Sequence, residues 1–155
     1  MIWSKLPPQT WIGLWSLYDF INGDRFKSFY HMFILVFDQA LMILGKLTYA
    51  APRPYFADLE IEAVVCEKYY GNPSGHSSGA SLLLITFFLD IVQGRDQKNC
   101  FNYFGTYSIL WWYGSTIAYS RFLLGVHSAD QILYGLSLGM WVALASNLLF
   151  KEKII

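Results

Sequence analysis

The sequence predicts an all-α integral membrane bundle, with about four transmembrane helices and a short interfacial helix at the N-terminus. Three observations carry that expectation. Only 14% of the 155 residues are charged, against about 25% in a soluble domain. Aromatic residues make up 19% of the chain, with 11 Tyr and 6 Trp, and amphipathic rings favour the bilayer interface. An apolar soluble α/β core would share that composition, so the deciding observation is the third: four apolar stretches approach the roughly 20 residues needed to cross a bilayer.

The stretches cover residues 29–46 (FYHMFILVFDQALMILGK), 77–94 (SSGASLLLITFFLDIVQG), 103–124 and 131–150. None contains proline, which would break the helix. Two carry an acid. Asp90 lies near the end of its stretch, where it reaches water. Asp38 lies deeper and is expected to face other helices, because a buried charge in lipid is costly. His31 belongs to no motif and reads as structural. An earlier apolar run, residues 10–21, is too short for a span and suits an interfacial helix. Lys5, Pro7 and Pro8 interrupt the N-terminus, so it does not read as a signal peptide. There is no repeat and no low-complexity linker, which predicts one domain over 1–155.

The connections set an orientation. Residues 48–76 form a long loop bearing Asp58, Glu60, Glu62 and Glu67, which reads as solvated surface. A short loop with Arg95 and Lys98 follows the second stretch, and a tight turn, 125–130, precedes the fourth. One face collects Arg25, Lys27, Arg95, Lys98, Lys151 and Lys153, and the positive-inside rule makes it cytosolic. The long loop and the 125–130 turn then face the lumen or exterior. Cys66 and Cys100 fall on opposite sides, which excludes an intramolecular disulfide between them. Two cysteines without a CxxC spacing suggest no metal site. A formal net charge of zero without a basic tract gives no reason to expect nucleic acid as a partner.

Three clusters fall at the same membrane face. The first is Lys46-LTYAAP-Arg53-Pro54, where Pro52 and Pro54 hold Arg53 extended. The second is Pro73-Ser74-Gly75-His76, a turn leading into a helix whose free N–H groups suit an anion. The third is Ser120-Arg121-FLLGV-His127. Together they supply three cations, two histidines and a helix N-terminus. Guanidinium groups donate paired hydrogen bonds to phosphate, and cations at membrane depth tend to be functional. With two histidines, one can attack while the other protonates a leaving oxygen. A phosphate monoester fits this set without a metal or other cofactor.

In order, these strings resemble the signature of the type 2 phosphatidic acid phosphatase superfamily, which also includes glucose-6-phosphatases and vanadium haloperoxidases. That signature is Lys-x6-Arg-Pro, Pro-Ser-Gly-His and Ser-Arg-x5-His-x3-Asp. The first two strings match in full and the third matches up to His127, a core of residues 46–135. The resemblance implies that Lys46, Arg53 and Arg121 bind phosphate oxygens, assisted by Ser74 and the Gly75 N–H. It implies that His127 is the nucleophile, forming a phosphohistidine, and that His76 is the general acid. The family's Asp, four residues after the nucleophilic His, is Gln131 here, and Asp130 sits one residue earlier. Either side chain approaches His127 from a helix start: Asp130 is favoured by charge, Gln131 by register. Ser128 and Gln131 also form an S-x-x-Q capping box, and Asp130 complements the helix dipole.

The expected function is a metal-independent phosphatase on the lumenal side of an internal membrane. Its substrate would be a lipid phosphate or diphosphate. The competing reading is a catalytically silent member serving as a subunit of a membrane complex, motivated by the changed Asp and by a chain shorter than the family's usual six spans; the chain is then either a minimal version or a fragment beginning at Met1. A homo-oligomer or a membrane-complex partner fits such a chain. The C-terminal Lys151-Glu-Lys153-Ile-Ile resembles a dilysine retrieval signal, which would place the protein in the endoplasmic reticulum with its C-terminus cytosolic; two lysines anchoring a positive-inside end are the simpler alternative.

Overall fold

A computed structural model describes residues 7–58, 60–61, 67–93 and 100–154, with backbone alone at 93, 100–103, 106 and 151–154. Its elements are α1 (Gln9–Ile21), α2 (Arg25–Tyr49), the one-turn α3 (Pro54–Ala57), α4 (Gly75–Gln93), α5 (Cys100–Leu123) and α6 (Ala129–Ile154). The architecture is therefore all-α, with five long helices among the described residues.

Local chemistry sets the ends of α2. Asp24 caps it, its Oδ1 accepting the Lys27 N–H at 3.1 Å, which satisfies one orphan donor of the first turn. At the other end Ala50 turns left-handed at φ 43 and donates its N–H to the Lys46 carbonyl at 3.0 Å. Arg53 then adopts the expected extended backbone, φ −78 and ψ 155, and Pro54 opens α3, where its missing N–H costs nothing.

The largest helix–helix contact joins α4 to α6. Its seam is made by Gly135 and Gly139, one turn apart on α6. A Cβ at the first would strike the Ser74 carbonyl, and at the second the Ser78 carbonyl. Small residues thus bring the two backbones together, as is common between membrane helices. The apolar core lies beside this seam, with Ile12, Tyr30, Ile34, Leu82, Leu83, Val142 and Ala143 all buried. Trp111 and Trp112 are exposed, as belt residues would be.

Among the described residues, three segments are long and apolar enough to cross a membrane: Arg25–Ala57, Gly75–Val92 and Ala129–Phe150. The expected third span does form a helix, α5, but it falls short on apolarity. Thr106, Ser108, Ser115, Thr116, Ser120 and Arg121 dilute its apolar content. Asp38 meets its expectation: it is fully buried and accepts a hydrogen bond from Ser78 Oγ at 2.6 Å.

Two placements differ from expectation. Helix α1 runs alongside α4 rather than across its end. Gln9 donates to the Gly75 carbonyl at one end of α4. At the other end Asp19 Oδ2 lies 2.8 Å from His31 Nδ1, and His31 Nε2 lies 3.4 Å from Asp90 Oδ2. The buried polar groups Ser16 and Asp19 hold α1 in place, and such partners are invisible to a count of apolar residues. Asp90 therefore faces His31 instead of simply reaching water. His31 is fully buried and packs on Trp15 with ring centroids 4.2 Å apart, a structural role as expected. Glu62, Cys66, Arg95 and Lys98 lie outside the described residues, as do the side chains of Cys100, Lys151 and Lys153.

Candidate active site

The three sequence clusters converge, and the hydrogen bonds that join them can be followed one by one. The Gly71 N–H donates to the Ala51 carbonyl at 2.9 Å, and the Ser74 N–H donates to the Gln131 carbonyl at 3.1 Å. Gln131 Nε2 donates to the Pro52 carbonyl at 3.0 Å. Arg53 Nη1 donates to the Val126 carbonyl at 3.0 Å. Segments 51–53, 71–74 and 126–131 are thereby locked together at one end of the bundle.

Arg53 is the centre of this arrangement and is 1% exposed. Its Nε donates to the Tyr69 carbonyl at 2.7 Å. Its Nη1 also points at His127 Nε2, 3.3 Å away. Its Nη2 forms an ion pair with Glu67 Oε2 at 2.6 Å, at an angle that leaves this buried donor without a hydrogen-bond acceptor. Arg121, in the last turn of α5, reaches the other Glu67 oxygen through Nη1 at 3.5 Å. One carboxylate therefore lies between two buried guanidinium groups.

Those contacts fix the tautomer of His127. A guanidinium only donates, so His127 Nε2 carries the lone pair and Nδ1 carries the proton. Nδ1 donates to Gln131 Oε1 at 3.3 Å. The orientation of the Gln131 amide is set independently, because Oε1 also accepts the Ser128 N–H at 3.4 Å while Nε2 is spent on Pro52. The contact with Ser128 is one half of the expected capping box. Burial first, and then the charge of Arg53, push His127 down to about 4 from its ordinary 6.5. Burial alone would raise the Glu67 carboxyl. Arg53, with His127, His76 and Arg121, outweighs it and holds Glu67 below the ordinary carboxylate value.

A cavity of about 250 Å³ opens here, with Lys46, Glu67, Gly75, His76 and His127 on its walls. Lys46 comes from the last turn of α2, and Gly75 and His76 from the first turn of α4, where backbone N–H groups lack helical partners. Ser74 is buried behind them, its hydroxyl 2.9 Å from that of Ser77. Among the described residues no group of three or more His, Cys, Asp or Glu is placed to hold a metal ion.

The structure thus brings together Lys46, Arg53, Ser74, Gly75, His76, Arg121, His127 and Gln131. Asp130 is the exception. It is exposed, and no hydrogen bond or ion pair engages it among the described residues. Register along α6 decides: Gln131 turns inward beneath His127 while Asp130 turns out. Glu67 corrects a second expectation. It belongs to the site rather than to a solvated loop surface, and its sequence signal is no more than an acid in a loop whose two ends both enter the site. The carbonyls of Tyr69 and Val126 were likewise unmarked, since backbone acceptors carry no residue signature.

Comparison with known proteins bears on this arrangement. A search among curated proteins finds no match. Among solved structures, the chain is similar to one titled as the first transmembrane PAP2 type phosphatidylglycerolphosphate phosphatase from Bacillus subtilis. The superposition has a TM-score of 0.73 at 20% identity and covers 94% of this chain and 68% of that one. At that identity the likeness is one of fold: a helical membrane bundle of the same kind. The sequence itself matches the description of the PAP2 superfamily across residues 27–155, which takes in Lys46, Arg53, Ser74, Gly75, His76, Arg121, His127 and Gln131, and the chain belongs to that superfamily.

Proposed function

We propose that this protein is a membrane phosphatase that hydrolyses a lipid phosphate through a phosphohistidine on His127. The observation that carries the reading is the cavity shared by Lys46, His76 and His127, with Arg53 directed at the unprotonated Nε2 of His127. The phosphoryl group would sit among Arg53, Arg121 and Lys46, taking over the place of the Glu67 carboxylate. Paired guanidinium donors suit its equatorial oxygens, where charge accumulates in the transition state.

Nε2 of His127 attacks phosphorus, a P–N bond forms and the P–O bond to the alcohol breaks. His76 gives its proton to the leaving oxygen. His76 then takes a proton from a water, whose oxygen attacks phosphorus and breaks the P–N bond, releasing phosphate. Gln131 keeps Nδ1 protonated and the ring in place throughout.

The site lies at the end of α2 and the start of α4, the end assigned by the charge distribution to the lumen or exterior. On this reading α5 joins the three apolar helices as a fourth span: Ser108 and Thr116 spend their hydroxyls on the Phe104 and Tyr113 carbonyls of their own helix, and Arg121 turns to the site. The similar structure's titled activity on phosphatidylglycerolphosphate supports a phosphorylated lipid as substrate.

The test is phosphate release from lipid phosphates by purified protein in detergent, with and without magnesium, and with vanadate. Magnesium-independent, vanadate-sensitive release that His127→Ala abolishes is the expected result. Unchanged turnover in that variant removes the nucleophile. Folded protein that releases no phosphate from any ester favours the structural-subunit reading.

A further inference from the structure

The cavity has a second half that the phosphate does not need. Beyond Lys46 and His76 it continues between α1 and α2, walled by Pro7, Gln9, Gln39 and Met42. On the proposed reading the nucleophile and the general acid flank the phosphoryl group, so the leaving group lies past His76, toward this half. We infer that Gln9 and Gln39 form a leaving-group subsite for a neutral, hydrogen-bonding alcohol such as an acylated glycerol. This rests on the phosphatase reading and narrows it from lipid phosphates in general to monoesters over diphosphates.

Three observations support it. First, Gln39, Met42 and Lys46 follow at spacings of three and four along α2, so they share one helix face. That face is charged at the phosphate end and carries only an amide at the other. Second, the groove is built by α4. A Cβ at Gly75 would strike Met42 Sδ, and a Cβ at Gly79, one turn on, would strike the Gln9 amide. The Gly-x-x-x-Gly face leaves room for these two side chains to lie beside His76. Third, the amide of Gln9 is only half used. Its Nε2 donates to the Gly75 carbonyl at 2.6 Å, while its Oε1 is buried without a hydrogen-bond partner. A buried unmet acceptor is costly, and a substrate hydroxyl would meet it. Gln39 Nε2 is only weakly engaged, 3.4 Å from Asp38 Oδ2, and can turn to an ester carbonyl.

Charge opposes the alternative. In a diphosphate the leaving group is itself a phosphate, so its charge would fall between the two amides. Neither amide offsets an anion. Lys46 is the cation on this face, and it stands at the other end.

The experiment compares kcat/KM for a diacylglycerol phosphate, a polyprenyl diphosphate and p-nitrophenyl phosphate, using the full chain in detergent. The variants are Gln39→Leu and Gln39→Lys, and vanadate-sensitive turnover of the aryl ester reports that each is folded. Wild type is expected to favour the monophosphate lipid over the diphosphate. Gln39→Leu is expected to lower the lipid-monophosphate to aryl-ester ratio by roughly three- to ten-fold, the size of one neutral hydrogen bond. Gln39→Lys is expected to shift selectivity toward the diphosphate by a similar factor. Wild type preferring the diphosphate, or ratios unmoved within two-fold in both variants, overturns the inference while the phosphatase reading stands. Absence of His127-dependent hydrolysis from all three esters overturns both.

Discussion

His127 Nδ1 lies 3.3 Å from the amide oxygen of Gln131, one helical turn along, and that oxygen is held from behind by the Ser128 N–H. Replacing Gln131 with Leu should free the ring to take the other tautomer and place a proton on Nε2. By analogy with histidines that lose their orienting partner, kcat should fall by roughly a hundred-fold or more. Gln131→Asp should keep the orientation and add a negative charge beside the ring. Steady-state kinetics on both variants check this, and a Leu variant as active as wild type would remove the orienting role.

The pH dependence follows from burial and from Arg53. His127 sits at about 4 in the folded protein against an ordinary 6.5. If its Nε2 attacks phosphorus, the His127 step in kcat/KM should lie near pH 4, well below the range of an ordinary histidine. Gln131→Asp should move that step to higher pH, because a carboxylate favours imidazolium. Stability should follow the same groups. Between about 6.5 and 4 the unfolded chain binds the His127 proton and the folded one does not, so stability falls on acidification. Glu67, held low by its cations, contributes stability above its ordinary value that is lost as pH drops through its folded value. Thermal unfolding in detergent from pH 7 to pH 4 measures the His127 part, a scan continued to lower pH takes in the Glu67 part, and His127→Gln should flatten the upper part of the slope.

Arg53→Lys tests whether shape matters beyond charge. The guanidinium reaches Tyr69, Val126, His127 and Glu67 at once, and a primary ammonium cannot reproduce that fork. Activity should fall at least a hundred-fold and the melting temperature should drop. Arg53→Ala should cost more stability, on the order of 3 kcal/mol, since truncation leaves Glu67 with Arg121 alone and takes the donor from the Tyr69 and Val126 carbonyls.

Gly139→Ala addresses the seam. The added methyl meets the Ser78 carbonyl and Ser81 Oγ, so α4 and α6 must separate. Since His76 rides on α4 and Gln131 on α6, the variant should lose both activity and thermal stability. The same substitution at the exposed Gly105, where a Cβ meets nothing within 4 Å, should cost neither.

Much of this was legible in the sequence, in a physically consistent way. Lys46, Arg53, His76, Arg121 and His127 announced themselves because charged and titratable residues are rare in apolar surroundings and fell beside prolines and glycines that punctuate helices. The register of Gln131 against Asp130 was not decidable, because both occupy the first turn of α6 and only the packing of that helix selects a face. Glu67 was hidden among Asp58, Glu60 and Glu62, which share its chemistry and give the sequence no means of telling them apart. The course of α1 was missed because Ser16 and Asp19, which pin it to Ser28 and His31, look like solvent-facing residues until the fold supplies their partners.

The carboxylate lodged between Arg53 and Arg121 gives the resting protein an economy of charge. A pocket with two naked guanidinium groups and a lysine would gather any small anion from its surroundings and would repel itself while empty. With Glu67 in place, and on the phosphatase reading, an arriving phosphate would enter by exchange, dislodging one tethered anion as it delivers another. A bulky ester that can also use the rest of the cavity would complete that exchange more readily than free orthophosphate, so the hydrolysed product would be the species the pocket gives up.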